Sequence, residues 1–267
     1  MGKVSIQMIL SLKNITISFA KGKDSFRVLN EFNLDVEEGK ITALIGGNGT
    51  GKTTLFNIIS GFQKDYIGDI FFNGKSIKNL LPFQRASKGI GRLFQSNGLF
   101  SNLTLLENMK LADEDASGEI PFATLFNKKK INQKEEEKRE KAIRILNKIF
   151  GINNPYIEKL NESGGSFSYG EQRILALAQL FMGNHSLLLL DEPTAGVNII
   201  YLETIKQVIK EMVASGATVL FIEHNIPFVS EVADYCAFVQ NGKIEMQDNT
   251  RELLNHQSVK NSYLGIK

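Results

Sequence analysis

Apolar residues in this chain come in short bursts at two spacings. Residues 12–19 and 41–45 form alternating or continuous apolar runs, divided by the turn-prone Lys21-Gly22-Lys23-Asp24 and Glu37-Glu38-Gly39-Lys40, which predicts strands. A glycine-rich turn then opens a helix over 53–60. Residues 69–72 predict another strand, closed by Asn73-Gly74, a strong hairpin signal. The N-terminal part therefore mixes antiparallel and parallel pairing. Over 128–150 the spacing becomes helical, with Ala142, Ile145, Leu146 and Ile149 on one stripe and Glu135/Arg139 and Glu137/Lys141 set as i,i+4 pairs. This is the solvated helix of a helical insertion, expected over 99–166. A helix from Glu171, the run 187–190, a helix over 202–213 and a strand over 218–222 then alternate as βαβ units do. Strands apolar throughout belong inside a parallel sheet covered on both faces. The fold class expected is α/β: a mainly parallel sheet, an N-terminal antiparallel β subdomain and an inserted helical subdomain, in one domain over 1–267.

Composition narrows the setting. With 267 residues and 42% apolar content the chain can bury a sizeable core. Its 31 basic and 29 acidic residues leave a net charge of +2, so no polyanion partner is indicated and nucleic acid is not expected. The single Cys236 cannot form an intramolecular disulfide, and neither a Cys/His metal pattern nor a secretory leader is seen, which fits a reducing cytosol. The longest apolar stretches, 174–182 and 187–190, fall well short of the roughly 18–20 residues of a membrane helix. Ile6 stands where a myristoylation signal needs Ser or Thr.

Two local patterns carry chemistry. Gly46-Gly47-Asn48-Gly49-Thr50-Gly51-Lys52-Thr53 fits G-x-x-x-x-G-K-S/T between a strand and a helix, the context that motif requires, and predicts a P-loop NTPase core. The glycines let backbone N–H groups turn toward phosphate oxygens and the helix N-terminus adds its positive end. Lys52 neutralises β/γ charge, the Thr53 hydroxyl ligates Mg²⁺, and Thr54 adds a further hydroxyl. Kinases and GTPases share this loop, so it names no reaction alone. At the end of the run 187–190 two carboxylates follow, where open α/β sheets place their ligands. Asp191 is the candidate for holding Mg²⁺. Glu192, on the other side of a chain read as extended, is the candidate for polarising an attacking water.

Phe167-Ser168-Tyr169-Gly170-Glu171-Gln172-Arg173 resembles the L-S-G-G-Q signature of ABC ATPases. Together with the phosphate loop, the Asp191-Glu192 pair, Gln95 in Gly91-Arg92-Leu93-Phe94-Gln95, and His224 after strand 218–222, it completes the ABC motif order over nearly the whole chain. The resemblance implies an ATPase that powers a transporter, with ATP and Mg²⁺ as ligands. It implies that Ser168 and Gly170, flanked by Tyr169 and Glu171, bind the γ-phosphate of ATP held by a second cassette, identical or paralogous, in a head-to-tail dimer. Gln95 would touch Mg²⁺ and the lytic water, His224 would contact the γ-phosphate and orient Glu192 or the water, and Phe19 would stack on adenine. Integral membrane permease subunits, and for an importer a solute-binding protein, are the implied partners. The implied location is cytoplasmic, peripheral on the inner face of the membrane.

The departures from the family pattern are Phe167, Tyr169 and Glu171 in the signature, and Ala195-Gly196-Val197-Asn198 where many members read S-A-L-D. Asn198 lacks the charge an Asp carries, which weakens any charge-based role there. The same departures, with Gly89-Ile90-Gly91-Arg92-Leu93-Phe94-Gln95, Ile222-Glu223-His224-Asn225 and the tail Val259-Lys260-Asn261-Ser262-Tyr263-Leu264-Gly265, look like the branched-chain amino acid importer ATPases. Urea-importer and lipopolysaccharide-exporter cassettes are similar in places. A soluble ABC ATPase acting on nucleic acid or ribosomes is the competing class, and a degenerate ATP-holding module is a third. One cassette without tandem repeat, long coiled-coil insertion or zinc pattern favours the transporter, and intact Lys52, Glu192 and His224 favour hydrolysis. The cargo and its direction are set by other subunits.

Overall fold

The two spacings of the sequence separate into two kinds of core. A computed structural model describes residues 7–21, 24–95, 98–113 and 128–264; Ile6, Gly22, Lys23, Gly265 and residues 114–127 of the expected insertion lie outside the described residues. The described residues divide into two compact units, one drawn from Met1–Gln95, Ser186–Ala195 and Met212–Lys267, the other from Ser96–His185 and Gly196–Glu211.

The first unit carries β1 (Met8–Lys21), β2 (Asp24–Glu37), β3 (Ile41–Ile45), β4 (Ile67–Phe72), β5 (Lys75–Ser76), β6 (Ile90–Leu93), β7 (Leu187–Asp191), β8 (Thr218–Ile222), β9 (Tyr235–Gln240) and β10 (Lys243–Asn249). One sheet, ordered β2-β1-β4-β5, is antiparallel. The other runs β10-β9-β3-β8-β7-β6 and is parallel except for β10 at its edge. Every residue of β3, β7 and β8 is buried, as strands covered on both faces must be. Asn73 and Gly74 (φ 49 and 70) make the two-residue hairpin turn between β4 and β5, with positive φ at both central positions.

The strand β2 and the strands β6, β9 and β10 go beyond the sequence reading. Gly91 and Arg92 interrupt the apolar run of β6, and β10 alternates weakly because it is a half-exposed edge. Cys236 is the second residue of β9, fully buried, and burial pushes its thiol up to about 12.

Helix α1 (Lys52–Ile59) follows β3 and sends Leu55, Phe56, Ile58 and Ile59 into the core between the sheets. Its last carbonyls have no partner within the helix. Arg85, on α2 (Pro82–Ala86), supplies one. Only 1% exposed, it donates to the carbonyl oxygens of Ile58 at 2.6 Å, Ile59 at 2.9 Å, and Leu80 and Lys78 at 3.0 Å each.

The second unit is helical: α3 (Leu105–Leu111), α4 (Lys128–Phe150), α5 (Pro155–Glu158), α6 (Tyr169–Gln179) and most of α7 (Leu202–Ala214). Its core joins Leu105 and Met109 to Ala142 and Leu146 of α4 and to Leu175 and Ala178 of α6. It thus takes in residues that follow the 99–166 segment. The expected i,i+4 ion pairs of α4 are replaced. Glu135 pairs with Lys110, Arg139 with Glu136 at 3.2 Å, and Lys141 with Asp113 at 2.6 Å while also donating to the Met182 carbonyl at 2.6 Å. Lys110, Asp113 and Met182 lie off the helix, and a packed neighbour competes well with an exposed pair that is worth only a few tenths of a kcal/mol. Among the described residues, no helix is long and apolar enough to cross a membrane.

Arg85→Met should lower stability to urea unfolding by about 3 kcal/mol, since two buried and two partly buried carbonyls lose their shared donor. A loss under about 1 kcal/mol would mean that water reaches those carbonyls in the variant.

Candidate nucleotide site

The glycine loop is shaped by close approach as much as by torsion. Gly46 has φ 152, and a Cβ there would stand 2.2 Å from the Val239 carbonyl oxygen. Gly51, in the left-handed region at φ 96, forms the N-cap of α1, and a Cβ there would meet Leu29 Cδ2 at 2.6 Å. Side chains at either position would push the loop off β9 or β2. Lys52 is 6% exposed, and its ammonium donates to the carbonyl oxygens of Gly46 and Gly47 at 2.8 Å each, with Thr50 Oγ1 at 3.3 Å. Burial lowers its pKa to about 8, a shift partly opposed by the charges of Glu192 and Asp191. Gly47, Asn48, Gly49 and Thr53 are exposed, and Thr54 is half-buried. A cavity of about 330 Å³ is lined by Phe19, Val28, Asn48, Gly49, Thr50, Gly51, Lys52, Thr53, Thr54, Glu192, Ile222 and His224. Phe19, 42% exposed, stands on its wall.

Asp191 ends β7 at 1% exposure, paired with Arg92 at 3.4 Å. Glu192 departs from the extended chain expected. Its φ is 48, a region that costs a non-glycine residue about 1 kcal/mol or more and recurs at functional sites. The turn is held by its own N–H, which donates to the Ile222 carbonyl of the neighbouring strand at 3.0 Å. In this pose Glu192 Oε2 accepts from Gln95 Nε2 at 2.7 Å, and Oε1 lies 3.2 Å from His224 Nε2. Three residues separated widely in sequence thus meet at one carboxylate.

Two charged side chains stand in the site without a motif to announce them. Arg92 donates to Asn57 Oδ1 at 2.8 Å and Ser60 Oγ at 2.7 Å, and lies over the Phe94 ring at 4.4 Å, so it joins α1 to the strand end before Gln95. Glu223, 3% exposed, accepts from Thr194 and from the backbone beside His224. Its signal in the sequence is the one that marks Asp191, a carboxylate directly after a run of apolar strand residues.

The signature residues Ser168, Tyr169, Gly170 and Glu171 belong to the second unit. Ser168 is the N-cap of α6. Glu171 takes its backbone N–H at 2.9 Å and its hydroxyl at 2.8 Å, a capping box. A Cβ on Gly170 would stand 2.4 Å from Tyr201 Cδ2, and Tyr201 Oη lies 3.5 Å from Ser168 Oγ. Tyr169, 54% exposed, lies beside Gly196, where a Cβ would meet its ring at 3.1 Å. Asn198 caps the turn Ile199–Tyr201 by accepting from the Ile200 N–H at 3.1 Å.

Among the described residues, no three His, Cys, Asp or Glu side chains converge as a metal site. The oxygen donors of Thr53, Gln95 and Asp191 are of the hard type that Mg²⁺ takes together with phosphate oxygens and water.

A phosphate loop at the end of a parallel strand, with paired carboxylates at the end of another, defines a P-loop nucleotide hydrolase. The family profile "ABC transporter" matches residues 29–195. The chain is 34% identical over 259 residues to a probable branched-chain amino acid transport ATP-binding protein LivG of Archaeoglobus fulgidus, covering 97% of this chain and 96% of that one. It is 32% identical to the lipopolysaccharide export system ATP-binding protein LptB of Haemophilus influenzae, covering 96% and 97%. A crystal structure of an ATP-binding cassette of an ABC transporter in its ADP conformation superposes with a TM-score of 0.79 at 32% identity, covering 97% and 99%. The chain belongs to the ABC transporter ATP-binding family, and it is an ATPase subunit of a transporter.

Because burial disfavours the charged form of Lys52, the folded chain binds fewer protons than the unfolded chain between pH 8 and 10.5, and Lys52 adds stability as pH rises through that window. Urea unfolding should therefore show the parent gaining on a Lys52→Met variant from pH 8 to 10.5. A constant gap would mean that Lys52 titrates normally.

Proposed function

We propose that this chain binds Mg-ATP at the glycine loop, hydrolyses it with Glu192 as general base, and drives import of branched-chain amino acids or a related small solute. The observation that supports it is the Glu192 carboxylate held by Gln95 at 2.7 Å and near His224 at 3.2 Å beside the phosphate-loop cavity. Loop amides of Gly46 to Thr54 and the Lys52 ammonium take the phosphates, and Phe19 covers the adenine. Magnesium supplies charge neutralisation on the phosphates, and Thr53, Gln95 and Asp191 are the residues that would hold it. Glu192 takes a proton from water as the water oxygen bonds to the γ-phosphorus and the bond to ADP breaks. Gln95 and His224 keep the carboxylate aimed, and His224 also contacts the γ-phosphate.

Ser168, Tyr169, Gly170 and Glu171 act on ATP held by a second cassette, with the α6 N-terminus turned to its γ-phosphate. That cassettes pair is supported by a solved bacterial ABC transporter cassette described as dimeric, 25% identical with a TM-score of 0.73. The second cassette is identical or paralogous. The pair docks on integral membrane permease subunits at the cytoplasmic face, with a solute-binding protein supplying cargo from the other side. LivG of Archaeoglobus and BraF of Pseudomonas aeruginosa, the latter 31% identical, support the amino-acid cargo. The LptB likeness supports a lipopolysaccharide-exporter cassette as second reading.

Glu192→Gln keeps the size of the side chain and removes the basic charge. Hydrolysis should fall by about 100- to 10,000-fold while ATP still binds, and the variant should run as a dimer in Mg-ATP by size-exclusion chromatography. Near-parental turnover would remove Glu192 as base. Co-purification from native membranes separates the cargo readings. Permeases accompanied by an amino-acid-binding protein support import, an exporter's membrane subunits support the second reading, and ribosomes or DNA would overturn both.

A further inference from the structure

Glu223 follows the last residue of β8 and is 3% exposed. A buried carboxylate is costly unless its lone pairs are met, and here they are met from two separate loops. Oε1 accepts from the Thr194 N–H at 2.9 Å and from Thr194 Oγ1 at 2.5 Å. Oε2 accepts from the N–H groups of His224 at 2.9 Å and Asn225 at 3.1 Å. Thr194 is itself buried and lies two residues beyond Glu192, across Pro193, whose ring fixes one of the intervening torsions. The loop of Glu192 and the loop of His224 are therefore tied to the two oxygens of one side chain.

That tie bears on the reaction because Glu192 sits in an unfavourable torsion and must be held there from outside. Its N–H bond to Ile222 fixes one side of the turn, and Thr194 bound to Glu223 fixes the other. The opposite oxygen of Glu223 sets the backbone that presents His224, whose Nε2 lies 3.2 Å from Glu192. We infer that Glu223 is a positioning residue for ATP hydrolysis, fixing the spacing between Glu192 and His224 without touching nucleotide. This rests on Glu192 acting as the base.

Glu223→Gln preserves shape but sets an amide NH₂ against N–H donors on one side. With the full-length chain, kcat should fall by about 10- to 100-fold, as expected for a misplaced reacting group, while the calorimetric Kd for ATP stays within about twofold. Thr194→Val removes one donor and should lower kcat by about 3- to 10-fold, whereas Thr194→Ser restores the hydroxyl and the parental kcat. Added to Glu192→Gln, the Glu223 change should cost nothing further, as for residues acting as a unit. If Glu192→Gln is inactive but folded Glu223→Gln keeps parental kcat, or loses ATP affinity in proportion, the positioning role is overturned and the base assignment stands. An active Glu192→Gln overturns both. If Glu223→Gln fails to fold, the Thr194 pair decides, and equal kcat for Val and Ser overturns the inference.

Discussion

A strand buried on both faces can carry chemistry only where it ends. The sheet that holds β3, β7 and β8 leaves no water along their length, so a charged side chain within them would pay the full cost of desolvation. The glycine loop follows β3, Asp191 and Glu192 close β7, and Glu223 and His224 follow β8. Since these strands are parallel neighbours in the order β3-β8-β7, their ends lie along one edge, and the glycine loop, the carboxylates and His224 are collected there. Much of the remaining structure holds that edge in place: Arg85 closes the far end of α1, and Arg92 ties α1 to Asp191.

What is legible in the sequence is what is local. The glycine loop is a contiguous string recognised from its own residues, and the continuous apolar runs 187–190 and 218–222 match their strands to within a residue. The hairpin at Asn73-Gly74 is legible for the same reason. What is not legible depends on partners distant in sequence. The torsion of Glu192 is held by the Ile222 carbonyl on another strand, and the preference for an extended residue before Pro193 gives no hint of it. The ion pairs of α4 go to Lys110 and Asp113, which no spacing rule within a helix can anticipate. β6 hides because its Arg92 reads as a polar break, though the guanidinium is buried against Asp191.

The departures from the ABC pattern have local explanations. Glu171 completes the cap of α6 as the isosteric Gln would, since a capping box takes Glu or Gln alike. Asn198 fills the acceptor position that starts the turn Ile199–Tyr201, a task that needs an oxygen rather than a charge. The requirement for glycine at 170 comes from within the chain as well, because the ring of Tyr201 occupies the space of a Cβ.

The single thiol of the chain, Cys236, is sealed inside β9 with its proton held far above neutral pH. Alkylating reagents attack thiolates they can reach, and this one is neither formed nor reachable in the folded state. The wild-type chain is therefore its own silent background for spectroscopic labelling. A cysteine introduced on either unit would carry the only probe, and distances between labelled positions could be followed through the ATP cycle without first removing a native residue from the sheet.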